Sequence, residues 1–190
     1  MNEQEQFWIG EFGDAYTKRN RVDWRARIPF WKHIIDITGA RSAFEFGCGA
    51  GWNLSAIEAA SDSRIALYGY EINELARAIT TGCQLNVGGK LLPADECMPV
   101  ELAFTTGVLI HIAPEHLEST MQRMVDASCD YVLAAEYDAD TEIEIEYRGE
   151  AKKLWKRPYG KLYESMGLVL VDSGKPEGFN DCTYWLLRKP

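Results

Sequence analysis

The sequence lacks both the long apolar runs that span a membrane and the paired cysteines that mark a zinc site or a disulfide framework. No stretch of the 190 residues approaches the roughly 20 consecutive apolar residues that a bilayer requires. The five cysteines are scattered, without a Cys-x-x-Cys pair, which favours reduced thiols. The first six residues are polar and acidic rather than a basic segment followed by an apolar core. We therefore expect a soluble protein of the cytoplasm.

An excess of basic residues, which nucleic-acid-binding surfaces need, is also absent. The chain has 20 Lys and Arg against 29 Asp and Glu, a formal net charge of −9. Because duplex binding depends on cations that neutralise phosphates, this charge argues against a nucleic-acid partner. What is present is hydrophobic sequence, 46% of the residues, enough for one well-buried domain but not for two. We predict a single domain over 1–190, with an N-terminal lid and helix over 1–38 and a core over 39–190.

The most informative stretch, Ala43 to Leu54, changes from the pattern of a strand to that of a helix. Apolar residues suited to a buried parallel strand come first, and apolar residues at helical spacing follow. Between them lie Gly47, Gly49 and Gly51, and glycine can take positive φ and let a ligand contact the backbone. The first-turn N–H groups of the following helix have no intrahelical partner. The stretch predicts a ligand-binding turn with a negative group of the ligand at the helix N-terminus.

The stretch lacks the third glycine of a dinucleotide-binding turn. Gly-x-Gly-x-x-Gly would require a glycine where Trp52 stands. Instead, Glu45 precedes the glycines, and a second apolar run, Ile65 to Tyr70, ends in Glu71. This arrangement resembles that of the class I S-adenosylmethionine methyltransferases. The resemblance implies S-adenosyl-L-methionine as cofactor, with Glu71 binding both ribose hydroxyls. The alternative is a simple tight turn followed by a solvated strand end.

The resemblance also implies the fold. It is an α/β, Rossmann-like fold with a mostly parallel seven-stranded sheet, helices on both faces and an antiparallel C-terminal strand. Periodicity predicts helices over 22–37, 75–83 and about 114–127, and further strands over 90–92, 100–105, 131–135, 168–171 and 181–187. Ligands of open parallel sheets bind beyond the carboxyl ends of the strands, so residues 105–107 lie near the transferable methyl group.

An aromatic segment, Phe7 to Asn20, precedes the core and ends in basic residues. Aromatic residues interleaved with glycines suit a lid that closes over a cofactor and excludes water, although the segment can also simply pack on the sheet. We favour the lid. The candidate cofactor-binding residues of the whole chain are Tyr16, Arg19, Glu45, Gly47, Gly49, Gly51, Glu71, Ile72, Leu91 and Thr106.

One basic stretch, 148–157, stands out in this acidic chain. The alternating residues before it, 141–147, predict a half-exposed strand whose glutamates form a solvated face rather than a metal cluster. The basic stretch itself is either a cationic helix surface, ending at Gly167, or the edge of a pocket for an anionic acceptor, because arginine pairs with carboxylates and phosphates. The candidate substrate-binding residues are Tyr147, Arg148, Lys156 and Arg157.

Several blocks together resemble the pseudaminic acid biosynthesis-associated methylases. They are Phe-Trp-x-Gly-Glu-Phe-Gly-Asp at 7–14 with Arg19-Asn20, Thr-Gly-Val-Leu-Ile-His-Ile at 106–112, and Ala-Glu-Tyr at 135–137 leading to Tyr147-Arg148-Gly149. The resemblance implies methyl transfer to a sugar or sugar-derived metabolite, such as a nonulosonic acid or its nucleotide-activated form.

A hydroxyl acceptor needs a group that removes its proton, and three residues are candidates for it. Histidine ordinarily titrates near neutrality, and His111 follows the fourth strand, although it can also serve only to anchor that loop. Glu136 and Tyr137, at the end of the fifth strand, are the competitors. His111 and His116 lack a third ligand, so we predict no metal.

Two other functions remain as alternatives to a small-molecule methyltransferase. One is a methyltransferase of a macromolecule, but the Asn/Asp-Pro-Pro-aromatic motif of enzymes for base or amide nitrogens is absent after the fourth strand. The other is a non-catalytic adenosylmethionine-binding protein. The sequence leaves open the acceptor atom and the oligomeric state.

Overall fold

The computed structural model describes residues 2–82, 86–88 and 99–190. Its strands are β1 (Ser42–Phe46), β2 (Ala66–Tyr70), β3 (Asn86–Gly88), β4 (Val100–Thr106), β5 (Ser128–Tyr137), β6 (Ile143–Tyr147), β7 (Glu150–Lys156), β8 (Val169–Gly174) and β9 (Cys182–Arg188). Seven of them form one sheet in the order β3-β2-β1-β4-β5-β9-β8. All neighbours in this sheet are parallel except that β9 runs antiparallel to both β5 and β8. The predicted α/β fold class with its antiparallel last strand is confirmed.

Helices cover both faces of this sheet. They are α1 (Glu3–Ile9), α2 (Glu11–Arg19), α3 (Ile28–Thr38), α4 (Trp52–Ala60), α5 (Glu74–Gly82), α6 (Pro114–Ala127) and α7 (Tyr159–Ser165). Side chains alternate along a strand, so β4 serves two cores. Leu102 and Phe104 pack in the core of α3 and α4, whereas Ala103 packs in the core of α6 and α7. Met121 and Met124 of α6 are buried in the second core.

Two predicted helices differ from the structure. The helix predicted over 22–37 is a 3-10 turn, Trp24–Arg27, followed by α3, because Pro29 suits a first helical turn. The basic stretch after residue 147 is not a helix surface, and that prediction is wrong. It forms β7, which pairs antiparallel with β6 through a turn at Arg148 and Gly149, both with positive φ. The helix that follows begins only at Tyr159.

Two further predictions reach residues that the structure does not describe. The third strand was predicted over 90–92, outside the described residues, and the strand that pairs with β2 is β3. The predicted helix 75–83 corresponds to α5, and its last residue, Cys83, is also outside them. Within the described ranges, no helix combines the length and apolar character needed to cross a membrane.

Candidate active site

The glycine turn after β1 forms the floor of the site. Gly47, Gly49 and Gly51 all have positive φ, of 71°, 54° and 77°. The backbone N–H groups of Gly47 and Cys48 donate to the Tyr70 carbonyl, at 2.7 and 3.0 Å, which fastens the turn to the end of β2. A Cβ on Gly47 would lie 2.7 Å from Val108 Cγ2, whereas a Cβ on Gly49 would meet no atom within 4 Å. The turn is therefore closed on the side of β4 and open at Gly49.

A cavity of about 530 Å³ lies above this turn. The structure brings most of the predicted site residues to its lining: Tyr16, Arg19, Glu45, Gly47, Gly49, Glu71, Ile72, Thr106, His111, Tyr137, Tyr147 and Arg148. Four other predicted residues, Gly51, Glu136, Lys156 and Arg157, are described by the structure but do not line the cavity. The remaining one, Leu91, lies outside the described residues.

Glu45 is the most deeply buried charged group of the lining, with 1% of its surface exposed. Its Oε1 accepts hydrogen bonds from Asn53 Nδ2 at 2.7 Å and from Thr106 Oγ1 at 3.1 Å. Its Oε2 has no hydrogen-bond partner among the described residues. Burial raises the pKa of Glu45 to about 8. A ligand group that donates a hydrogen bond or carries a positive charge would satisfy this oxygen.

Glu71, at the end of β2, binds the glycine turn from the other side. Its Oε2 accepts the Gly49 N–H at 2.7 Å, and its Oε1 accepts the Asn73 N–H at 2.7 Å. Burial raises the pKa of this carboxyl. Each carboxylate oxygen has two lone pairs, so both oxygens can still accept a hydroxyl of a ligand. Glu71 thus lies at the end of the second parallel strand, as predicted, and its contact with the glycine turn is an addition from the structure.

Helices α1 and α2, called here the N-terminal helix pair, contact the rim of the cavity on two sides. Asn73 Nδ2 donates to the Trp8 carbonyl at 3.2 Å and to Asp14 Oδ1 at 2.9 Å. On the opposite side, Lys153 Nζ forms an ion pair with Glu3 Oε1 at 2.8 Å. The pair thus bridges the loop after β2 and the β6–β7 hairpin.

His111 lies where this helix pair meets the turn after β4. Its ring centroid is 4.7 Å from that of Trp8 and 4.9 Å from that of Tyr147. Its Nδ1 lies 2.6 Å from the Lys153 carbonyl oxygen, so this nitrogen carries the proton and donates, and Nε2 keeps the lone pair. Burial lowers the pKa of His111 to about 4, which makes the ring neutral at pH 7.

The predicted site residues outside the lining make internal contacts instead. The Glu136 carboxylate binds backbone N–H groups of the turn after β4, and Arg157 binds carbonyls of the same turn. Lys156 pairs with Asp181 at 3.6 Å, and its Nζ lies 5.7 Å from the centre of the Tyr137 ring. Direct contact between these three side chains and a ligand in the cavity is not supported by their positions.

Sequence reasoning missed Asn53 and Arg27, which belong to the lining. Asn53 connects the site, because its Nδ2 binds Glu45 while its Oδ1 accepts from Arg27 Nη1 at 2.8 Å. Its place two residues after Gly51, in the first turn of α4, was a usable signal. Arg27 gave no such signal, because its partners are distant in the sequence. Its guanidinium stacks at 4.1 Å over the Phe179 ring, which is 152 positions away. No group of three or more His, Cys, Asp or Glu in the described ranges is arranged to hold a metal ion.

Comparison with solved structures identifies the architecture. The chain matches magnesium protoporphyrin IX methyltransferase from Synechocystis PCC 6803 with bound S-adenosylhomocysteine over 98% of both chains, with a TM-score of 0.71 and 10% identity. It matches 1,6-didemethyltoxoflavin-N1-methyltransferase from Burkholderia thailandensis over 98% of this chain and 86% of that one, with a TM-score of 0.67 and 15% identity. The chain has a Rossmann-like methyltransferase fold.

A third match extends this likeness to an enzyme of sugars. The sugar N-methyltransferase KedS8 from Streptoalloteichus sp ATCC 53650 aligns over 95% of this chain and 93% of its own, with a TM-score of 0.67 and 13% identity. No protein-family model and no curated protein matches the chain. At such low identities, the structural matches establish the methyltransferase fold and leave the reaction to be argued from the site.

Proposed function

We propose that this protein is an S-adenosylmethionine-dependent methyltransferase that acts on a small molecule. The observation that carries the proposal is Glu45 Oε2 in the lining of the cavity, which has no hydrogen-bond partner within the described part of the chain. Burial raises the pKa of Glu45 to about 8, so its carboxyl is mostly protonated in the free protein, and a ligand ammonium group would stabilise the ionised carboxylate and bind its free oxygen. The amino group and the sulfonium of adenosylmethionine supply positive charge of this kind.

The other residues of the turn fit the same cofactor. The open side of Gly49 accommodates a ligand close to the backbone, and Glu71 can accept the two ribose hydroxyls. Ile72 follows Glu71 in the lining and provides an apolar wall for the adenine. When bound, adenosylmethionine supplies a methyl group already activated by its positively charged sulfur.

The chain's own contribution is to position the acceptor and to exclude water. Positioning supplies most of the acceleration when the donor is already activated. His111 is neutral at pH 7, and its Nε2 can accept a hydrogen bond from an acceptor hydroxyl or amine. With a pKa of about 4, His111 is a weak base, so orienting the acceptor suits it better than removing a proton completely. Tyr137 lines the same cavity and is the second candidate for this contact.

The acceptor that these surroundings favour is a sugar or a sugar-derived metabolite. The rings of Trp8 and Tyr147 offer flat apolar surfaces, and Arg148 beside them suits a carboxylate or phosphate of the acceptor. We infer that the N-terminal helix pair is a lid, since its contacts with Asn73 and Lys153 span the cavity. The resemblance to pseudaminic acid biosynthesis-associated methylases supports the same substrate class, as does the sugar N-methyltransferase among the structural matches.

The test is transfer of labelled methyl from adenosylmethionine into an extract of the source cells, which is then separated into small molecules and macromolecules. The proposal expects label in the small-molecule fraction, in a product that mass spectrometry identifies as a methylated sugar derivative. Glu71→Ala, which removes the expected ribose contact, serves as the control and should transfer much less label at limiting adenosylmethionine. Label only in the macromolecular fraction would refute the small-molecule acceptor, and transfer into neither fraction would refute the reaction.

A further inference from the structure

The turn after β4, residues 107–112, has its N–H groups bound by a buried carboxylate. Glu136 at the end of β5 has no exposed surface. Its Oε1 accepts the Val108 N–H at 3.2 Å, and its Oε2 accepts the Ile110 N–H at 3.3 Å. Both oxygens of one side chain are thus used to fix alternate peptide groups of the turn.

The carbonyl groups of the same turn are bound by a buried guanidinium. Arg157, which follows β7, has 1% of its surface exposed. Its Nη1 donates to the Leu109 carbonyl at 3.1 Å and to the Ile112 carbonyl at 3.0 Å. Its Nε donates to Glu142 Oε2 at 2.7 Å, and the Glu142 side chain is 46% exposed. Arg157 therefore connects the turn to the base of the β6–β7 hairpin.

Burial of Glu136 and Arg157 lowers the stability of the fold, because each buried ion loses several kcal/mol of hydration. Burial raises the pKa of Glu136 to about 7, which is the sign of that loss. Apolar side chains of similar size would fill the same space at lower cost. Residues of the turn, however, form one wall of the cavity: Gly107, Val108, Ile110, His111 and Ile112.

We propose that Glu136 and Arg157 are positioning residues of the methyl-transfer site, which together hold the turn 107–112 in place. In this position, His111 donates its Nδ1 proton to the Lys153 carbonyl, and its Nε2 lone pair stays free for the acceptor. The inference rests on the proposed function for the nature of the acceptor. It gives both residues a role different from direct contact with substrate, because neither lines the cavity. The two side chains act from the end of β5 and from the residue after β7 on opposite polar groups of one turn.

Two variants and one control test the proposal. Glu136→Gln keeps the shape of the side chain but places an amide NH₂ group against one of the two backbone N–H groups. Arg157→Lys keeps the positive charge and can still reach a carbonyl, but it loses the planar fork. Glu142→Gln is the matched control, since it removes the charge that pairs with Arg157 Nε and leaves the contacts to the turn intact.

Three quantities are measured for each protein: adenosylmethionine affinity by calorimetry, kcat for transfer of labelled methyl into the small-molecule fraction of the cell extract at saturating adenosylmethionine, and the ¹⁵N NMR signals of the His111 ring. We expect Glu136→Gln and Arg157→Lys to lower kcat by about tenfold or more while changing the affinity for adenosylmethionine by less than about threefold. The His111 signals should move from a single Nδ1–H tautomer towards a mixture of tautomers. Glu142→Gln should resemble the wild type in all three.

Wild-type kcat and wild-type His111 signals in both Glu136→Gln and Arg157→Lys would overturn the proposal. A parallel loss of adenosylmethionine affinity and kcat, with His111 signals unchanged, would also overturn it, because that result indicates a purely structural role. If one of these two variants does not fold, the same measurements on the other variant still test the proposal. If the wild type does not bind adenosylmethionine, the proposed function fails, yet the NMR comparison still decides whether the buried pair controls His111.

Discussion

Gly49 offers a sharp test of the cavity, because the chain contains a matched control for it. Gly49 and Gly39 have similar positive φ values, 54° and 63°, and an added Cβ would meet no atom within 4 Å at either position. Gly49 lines the cavity, whereas Gly39 follows α3 and does not. Alanine at either position therefore imposes the same backbone strain, about 1–2 kcal/mol, and only one of the two changes the site.

We predict that Gly49→Ala and Gly39→Ala lose similar thermal stability but differ in ligand affinity. A strain of 1–2 kcal/mol lowers the Tm of a chain of this length by about 2–8 °C. In Gly49→Ala the new methyl group also occupies space that a ligand on the glycine turn requires. Overpacking of this kind costs about 1–3 kcal/mol, which corresponds to a Kd about 5- to 150-fold higher.

Calorimetric titration with adenosylmethionine and thermal unfolding of the same preparations measure both effects. Gly39→Ala should bind like the wild type. Wild-type affinity in Gly49→Ala would show that the ligand does not approach this turn. An equal loss of affinity in Gly39→Ala would show that general strain, and not the open side of Gly49, explains the result.

Three other perturbations follow from the site. Glu45→Gln should weaken adenosylmethionine binding by about 1.5–3 kcal/mol, measured by calorimetry, because a charge-assisted contact is lost, and an unchanged Kd would contradict this. The His111 pKa of about 4 lies below the ordinary 6.5, so only the unfolded chain gains the proton as the pH falls from 6.5 to 4. The raised pKa values of Glu45 and Glu136 act in the opposite direction but contribute to both proteins alike. Relative to His111→Asn, the wild type should therefore lose about 3 kcal/mol of urea stability over that range, and a constant difference between the two proteins would be inconsistent with a buried neutral ring. Lys153→Met removes the ion pair with Glu3 and the contact of Nζ with the Phe7 ring at 5.0 Å. Limited proteolysis should therefore cut α1 and α2 faster than in the wild type. An unchanged rate of cleavage would show that other contacts alone hold the helix pair.

The glycine turn and its two acidic neighbours could be predicted from the sequence because their signals are local. A change of period from strand to helix places the turn, and the positions of Glu45 and Glu71 relative to two apolar runs place both carboxylates at strand ends. The direction of the last strand followed from the resemblance to methyltransferases, and the antiparallel pairing of β9 with β5 and β8 confirms it.

The basic stretch could not be predicted in the same way. Cationic and apolar residues mixed over ten positions fit a helix as well as a strand, and only the pairing with β6 decides for β7. The burial of Arg157 depends on carbonyls 45 and 48 residues earlier in the chain, which no local pattern reveals. Charge alone therefore predicted a substrate contact where the structure has an internal support of the turn after β4.

The most direct test of the central claim is a calorimetric titration of the wild-type protein with adenosylmethionine, with NAD as the comparison ligand. The proposal predicts a saturable one-to-one isotherm for adenosylmethionine and none for NAD. It also predicts that Glu71→Ala raises the Kd by about 10- to 150-fold, the equivalent of a lost charge-assisted contact. Absence of adenosylmethionine binding, or NAD binding of equal strength, would contradict the claim that this cavity is a methyl-donor site.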